Sequence, residues 1–154
     1  GFEGEVSYQY KDDLRVLVNC SYQDARDMNR YKDDGKPSIT YNNKLPNRPW
    51  LFSNVEADYI FRDVLKNGDK LKLSYHYQYV HWFYLTWEAY GSLDGKSKIP
   101  TQHQHNAVVA YSWKNERYNV SFGCNNLFDK ELYDNFMLQK PGRSFFAKFR
   151  IFIN

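Results

Sequence analysis

The last residues of the chain, Ser144 to Asn154, alternate too strictly to leave much choice of structure. Phe145, Ala147, Phe149, Ile151 and Ile153 share one parity; Phe146, Lys148, Arg150, Phe152 and Asn154 share the other. Successive side chains of a strand point to opposite faces, so this stretch reads as a strand with one apolar and one largely charged side. Such a strand lies between two different media.

The same rule read from the start predicts an all-β chain, an antiparallel up-and-down meander of about seven strands. Phe2 to Tyr10 sets Phe2, Gly4, Val6, Tyr8 and Tyr10 against Glu3, Glu5, Ser7 and Gln9, then turns at Lys11-Asp12-Asp13. Leu14 to Tyr22 sets Leu14, Val16, Val18, Cys20 and Tyr22 against Arg15, Leu17, Asn19 and Ser21. A polar segment, Gln23 to Pro49, carries Asp33-Asp34-Gly35-Lys36-Pro37 and ends Leu45-Pro46-Asn47-Arg48-Pro49, which reads as a long loop. Leu51 to Phe61 is the third strand. It is followed by Lys66-Asn67-Gly68-Asp69, whose Asn-Gly pair tolerates positive φ at both central positions. The fourth strand opposes Leu71, Leu73, Tyr75, Tyr77 and Tyr79 to Lys70, Lys72, Ser74, His76 and Gln78, with an extension expected as far as Trp87. A loop from about Glu88 to Thr101 carries Gly91, Gly95 and Pro100. The fifth strand ends in Ala107, Val109, Tyr111 and Trp113, turns at Lys114-Asn115-Glu116, and leads to a sixth with Tyr118, Val120, Phe122 and Cys124 on one side. The connections therefore alternate, short then long.

Across these strands the apolar row contains no charged residue, while the opposite row mixes Glu, Asp, Lys, Arg, Asn, Gln and Ser. A lipid-facing row behaves this way, since Lys or Arg at the midplane of a membrane barrel costs about 2–4 kcal/mol. Aromatic members of the row, such as Tyr10, Tyr59, Phe61, Trp113 and Tyr118, gather near the short turns, and Val16, Val55, Ala57 and Val109 sit nearer the middle. That is the pattern of an interfacial aromatic girdle. A soluble ligand-binding up-and-down barrel turns the same row inward, and period-2 alternation alone does not separate the two. Short turns on one side with long loops on the other favour the membrane barrel. A surface adhesion or assembly barrel is a further alternative.

Composition agrees with an interface. Aromatic residues make up 19% of the chain, fourteen of them Tyr, and the mild net charge of +3 calls for no nucleic acid. No apolar run approaches the roughly 18 residues of a membrane helix, and no basic-then-apolar start reads as a signal peptide. The start at Gly1 without Met is expected of a mature product or an excised piece.

Enzyme chemistry finds little support. Asp12-Asp13 and Asp33-Asp34 are adjacent carboxylates in polar turns, where nothing raises a pKa, and Glu56 and Asp58 share a face that reads as wet. Nucleophile-elbow, phosphate-loop and zinc signatures are absent. His103 and His105 share a strand face and are the weak metal candidates, but two ligands do not make a site, and His76 and His81 add no ligand spacing. They read as polar residues at the start of a strand, and no metal or cofactor is expected. Cys20 and Cys124 fall on the second and sixth strands, beyond disulfide reach in a flat sheet, and read as small buried hydrophobes.

Asn125-Asn126-Leu127-Phe128-Asp129-Lys130, then Pro141-Gly142-Arg143 and the amphipathic tail, resemble the C-terminal end of the TonB-dependent outer-membrane receptors. Phe2-Glu3-Gly4-Glu5-Val6 is similar to the start of one of that family's late strands, Leu45-Pro46-Asn47-Arg48-Pro49 to its Asn-x-Pro approach, and Ile99-Pro100-Thr101 to its Ile-Pro approach. The matches run in order over essentially the whole chain. Two departures stand out: the chain ends in Phe152-Ile153-Asn154 rather than on an aromatic residue, and nothing corresponds to the family's plug domain or coupling box. The resemblance implies that residues 1–154 are the C-terminal segment of a receptor barrel of about 22 strands in the outer membrane of a Gram-negative bacterium. It implies uptake of a scarce nutrient: an iron chelate, haem, cobalamin or a glycan. The implied partners are outer-membrane lipid, the remaining barrel and plug, and the TonB complex through the missing N-terminal part. Alone, such a fragment is expected to associate through its strand edges or to adopt a rearranged fold. Binding residues favour loops, so the ligand-contact candidates are Tyr31, Tyr41, Arg48, Trp82 and Tyr84.

Overall fold

The computed structural model describes residues 1–90 and 98–153, so the loop positions Gly91 and Gly95 and the final Asn154 lie outside the described residues. The strands in chain order are β1 (Phe2–Tyr10), β2 (Leu14–Tyr22), β3 (Leu51–Arg62), β4 (Lys70–Val80), β5 (Phe83–Tyr84), β6 (Lys98–Ile99), β7 (Gln102–Trp113), β8 (Tyr118–Asn125) and β9 (Ser144–Ile151). Seven of them form one antiparallel sheet in the order β1-β2-β3-β4-β7-β8-β9, and β5 pairs with β6 apart from it. The chain is all-β and meandering, as its alternation predicts.

Registers decide what the alternation left open. Val6 lies opposite Val18, Val18 opposite Val55 and Val55 opposite Tyr77. Further on, Leu73 lies opposite Val109, Val109 opposite Phe122 and Phe122 opposite Ala147. Directly paired residues share a face, so all seven apolar rows merge into one continuous apolar surface. That surface is open: Val6 is 71% exposed, Phe122 55% and Phe149 59%. A single sheet offers no second layer to cover it. Among the described residues the buried apolar ones are Phe83, Ile99, Leu132 and Cys124, and the first three belong to the connections on the long-loop side.

The sheet is sheared. The β1–β2 turn follows the pair Tyr10 and Leu14, and Leu14 faces Tyr59, whereas the next hairpin continues past Tyr59 to the pair Arg62 and Lys70. At the long-loop border Phe2, Tyr22 and Leu51 are level, while β8 and β9 begin their pairing only at Asn125 and Ser144, level with Asn106 inside β7. Both borders step the same way, the stagger that tilted barrel strands require.

Several expectations need correction. The fourth strand stops at Val80 and does not run on to Trp87: after a last ladder bond from His81 N to Leu51 O (2.9 Å), the chain leaves the sheet and buries Phe83 against its β6 partner Ile99. The Asn-Gly pair does not form a two-residue turn with both residues left-handed. Only Gly68 (φ 82°) and Asp63 (φ 56°) are left-handed, in a wider turn closed by the Asp69 carboxylate, which accepts from Val64 N, Leu65 N and Lys66 N at 2.8, 3.0 and 2.8 Å. The last strand ends at Ile151. Cys20 is only half-buried, while Cys124 is buried; both are free thiols. Phe146, an aromatic on the polar row, lies over Gly123 directly opposite, where an added Cβ would overlap its ring. A bare glycine in a strand leaves a gap that an aromatic neighbour covers.

Candidate functional site

The long connections pack together beyond one end of the sheet. In the first, paired backbone bonds continue outward from β2 and β3: Gln23 N to Trp50 O (2.8 Å), Leu45 N to Ala25 O (2.9 Å), Asp27 N to Asn43 O (3.0 Å) and Ser38 N to Arg30 O (2.8 Å). The segment predicted as plain loop is therefore a ribbon with isolated bridges at Arg26–Lys44 and Tyr31–Pro37. Asp27 secures its middle. The Thr40 hydroxyl donates to it at 2.6 Å and the Asn29 amide at 2.9 Å, which together hold its carboxyl below the usual carboxylate range.

Asn47 joins this ribbon to its neighbours. Its left-handed backbone (φ 57°) lets its amide donate to Tyr84 O at 2.7 Å, and its side-chain amide, oriented to satisfy its partners, donates to Leu85 O and Asn135 O at 2.7 and 3.0 Å. The third connection is tied down by two residues of the Asn-Leu-Phe-Asp stretch. Asn126 bonds the Lys130 backbone in both directions (2.9 and 2.8 Å), and its own amide donates to Asn106 Oδ1 at 2.9 Å. The Asp129 carboxylate accepts from Arg143 N at 2.7 Å, fixing Pro141-Gly142-Arg143 where the chain returns to β9.

At the base of the loops is an aromatic cluster topped by cations. Trp50 meets Tyr22 (6.0 Å), His81 (4.4 Å) and Trp82 (6.2 Å), and Trp82 meets Tyr84 (5.4 Å). Lys44 Nζ stands 4.1 Å from the Trp50 ring centre, and Lys98 Nζ 4.6 Å from Trp82 and 5.5 Å from Tyr84. Ammonium groups at such distances are attracted to the ring faces. Burial raises the Tyr84 hydroxyl pKa, and its bond to Glu88 raises it further, so this phenol stays protonated.

The histidines sit at the start of a strand and share a face, as their spacing predicts. His103 and His105 lie within β7 on the apolar face, opposite Tyr79 and Tyr77. Their Nδ1 atoms bond Tyr77 Oη (2.8 Å) and Tyr75 Oη (2.6 Å), and His81 Nδ1 bonds Tyr79 Oη (2.6 Å). Phe128 closes on His105 at 4.8 Å. These polar-tipped rings form a second aromatic border on the long-loop side, which the sequence reading placed only at the short turns. Among the described residues no group of three or more His, Cys, Asp or Glu side chains is arranged to hold a metal ion.

Of the predicted contact residues, Arg48, Trp82 and Tyr84 come together around this cluster; Arg48 and Tyr84 line a small cleft with Lys44 and Trp50. Tyr31 and Tyr41 stand apart, farther out on the ribbon, Tyr41 paired with Arg30 through a 3.2 Å bond. Trp50, Lys44 and Lys98 are not among the sequence candidates; Trp50 is set at the base of the loops by the bond from Gln23 N to its carbonyl (2.8 Å), a long-range pairing that no local pattern shows. No family model matches the chain, and no curated protein matches it.

Proposed function

We propose that the chain is a stretch of the wall of a TonB-dependent outer-membrane receptor, through which a scarce nutrient is taken up. The observation that carries this reading is the continuous, exposed apolar face free of Lys, Arg, Asp and Glu on all seven strands. Lipid is a medium that suits such a face, and rings at its borders suit the two interfaces. The polar face then lines the lumen, the loops with Trp50, Trp82, Tyr84, Lys44 and Lys98 face outward, and the short turns face the periplasm. The partners are lipid, the remaining strands with the plug, and the TonB complex through the receptor's N-terminal part.

Nitroxide scanning tests this reading in phospholipid vesicles, with Cys20 and Cys124 replaced by Ala. Labels at Val55 and Val109 are expected to relax with oxygen, and labels at Asn54 and Gln78 with a water-soluble nickel chelate. Equal or reversed accessibilities overturn the membrane wall.

A further inference from the structure

The polar face divides by charge along the strands. Its six Lys and Arg residues, Arg15, Arg62, Lys70, Lys72, Lys148 and Arg150, all lie toward the short turns. Three of them are paired there: Arg62 Nε with Asp13 (2.8 Å), Lys72 Nζ with Asp58 (3.2 Å), and Lys70 with Glu116. From the level of Ser7, Leu17, Glu56 and His76 up to the long-loop border, the strands carry no Lys or Arg on this face. Glu3, Glu5 and Glu56 are the charged side chains of that half.

What fills the cation-free half is a row of carboxamides. Asn19 lies opposite Asn54, Asn54 opposite Gln78, and Gln78 opposite Gln104. The row is held by Asn54 Nδ2 donating to Asn19 Oδ1 (2.9 Å), Gln78 Nε2 to Asn54 Oδ1 (3.3 Å) and Gln104 Nε2 to Asn106 Oδ1 (3.2 Å). An amide has two donors and an acceptor with two lone pairs, so each keeps free capacity toward the lumen. Beside the row, a groove of about 360 Å³ runs between Glu3, Glu5, Asn19, Ser21 and Phe52, within the range of small-ligand sites. Phe52 supplies its apolar surface, and Ser21 Oγ holds Glu3 at 3.1 Å.

We infer that this part of the wall recognises a neutral oligosaccharide; the inference rests on the membrane-wall reading above. Sugar hydroxyls both donate and accept, which carboxamides match and a field of cations does not. An anionic iron chelate meets three carboxylates here and no opposing strand cation, a repulsive arrangement in a lumen.

The test uses the intact receptor in detergent, probed with an array of neutral oligosaccharides and, separately, with ferric citrate. Binding of a neutral oligosaccharide is expected, weakened about tenfold or more when Asn54→Leu and Gln78→Leu are combined. Val55→Leu on the opposite face is expected to leave it unchanged. Binding of ferric citrate alone, of neither probe, or of an oligosaccharide unaffected by the double change overturns the inference. The same preparation labelled at Val55 and Asn54 separates the two failures. Normal lipid and water accessibilities with no oligosaccharide binding overturn only the ligand class; lost face polarity overturns the wall and the ligand class together.

Discussion

Asp69 shows how much one side chain does in a sheet without a core. It is 2% exposed and accepts three backbone amides together with the Tyr111 hydroxyl at 2.5 Å, so it closes the β3–β4 turn and ties it to β7. Burial pushes its carboxyl up, but the Tyr111 hydroxyl and the amides outweigh that and hold it below the ordinary 3.8. A depressed folded pKa contributes stability that is fully present above the unfolded value and is lost as pH falls through the folded one. Detergent-solubilised protein is therefore expected to lose thermal stability as pH drops below about 4. Asp69→Asn is expected to lower the melting temperature at pH 7 and flatten this acid limb. An unchanged melting curve at both pH values rejects the assignment.

Strands and loops obey different rules. On β3 the two faces differ in what they tolerate: Ala57→Lys on the apolar face is expected to cost about 2–4 kcal/mol in reversible folding into vesicles. Val108→Lys, on the polar face of β7, is expected to cost little, and equal costs argue against two media. In the loops, Asp129 is the tie: Asp129→Ala removes the acceptor for Arg143 N and the pairing with the Arg143 guanidinium (4.0 Å). Hydrogen exchange at the Arg143 amide is expected to speed up at least tenfold while the β7 and β8 amides keep their rates; unchanged exchange at Arg143 means the carboxylate is not the tie.

At the scale of the whole sheet, the decisive fact is that the described residues form seven strands in it, an odd number. Six antiparallel steps separate β1 from β9, so these edges run in the same direction. Closing β9 onto β1 within one chain would need a parallel pair, which an up-and-down barrel does not contain. On the membrane-wall reading proposed above, an even-stranded barrel would place an odd number of further strands between them. With both edges unpaired, the chain alone is expected to self-associate, measured by light scattering after size exclusion with and without detergent. A folded monomer in plain buffer would sink the membrane-wall reading.

The sequence by itself determined the strands, because their period of two is a local property of the backbone written in every pair of neighbours such as Lys148 and Phe149. It also placed the short turns and the parity of His103 with His105. Only the tertiary structure decided that seven apolar rows share one face, since that depends on register, which no single strand contains. The same holds for the carboxamide row. Asn19, Asn54, Gln78 and Gln104 are dispersed along the chain and become neighbours only through three ladders. The end of β4 was likewise illegible: Val80 to Tyr84 keeps good strand character, and only burial of Phe83 against the distant Ile99 turns it out of the sheet. Local patterning fixes which residues alternate, and long-range hydrogen bonding fixes which of them meet.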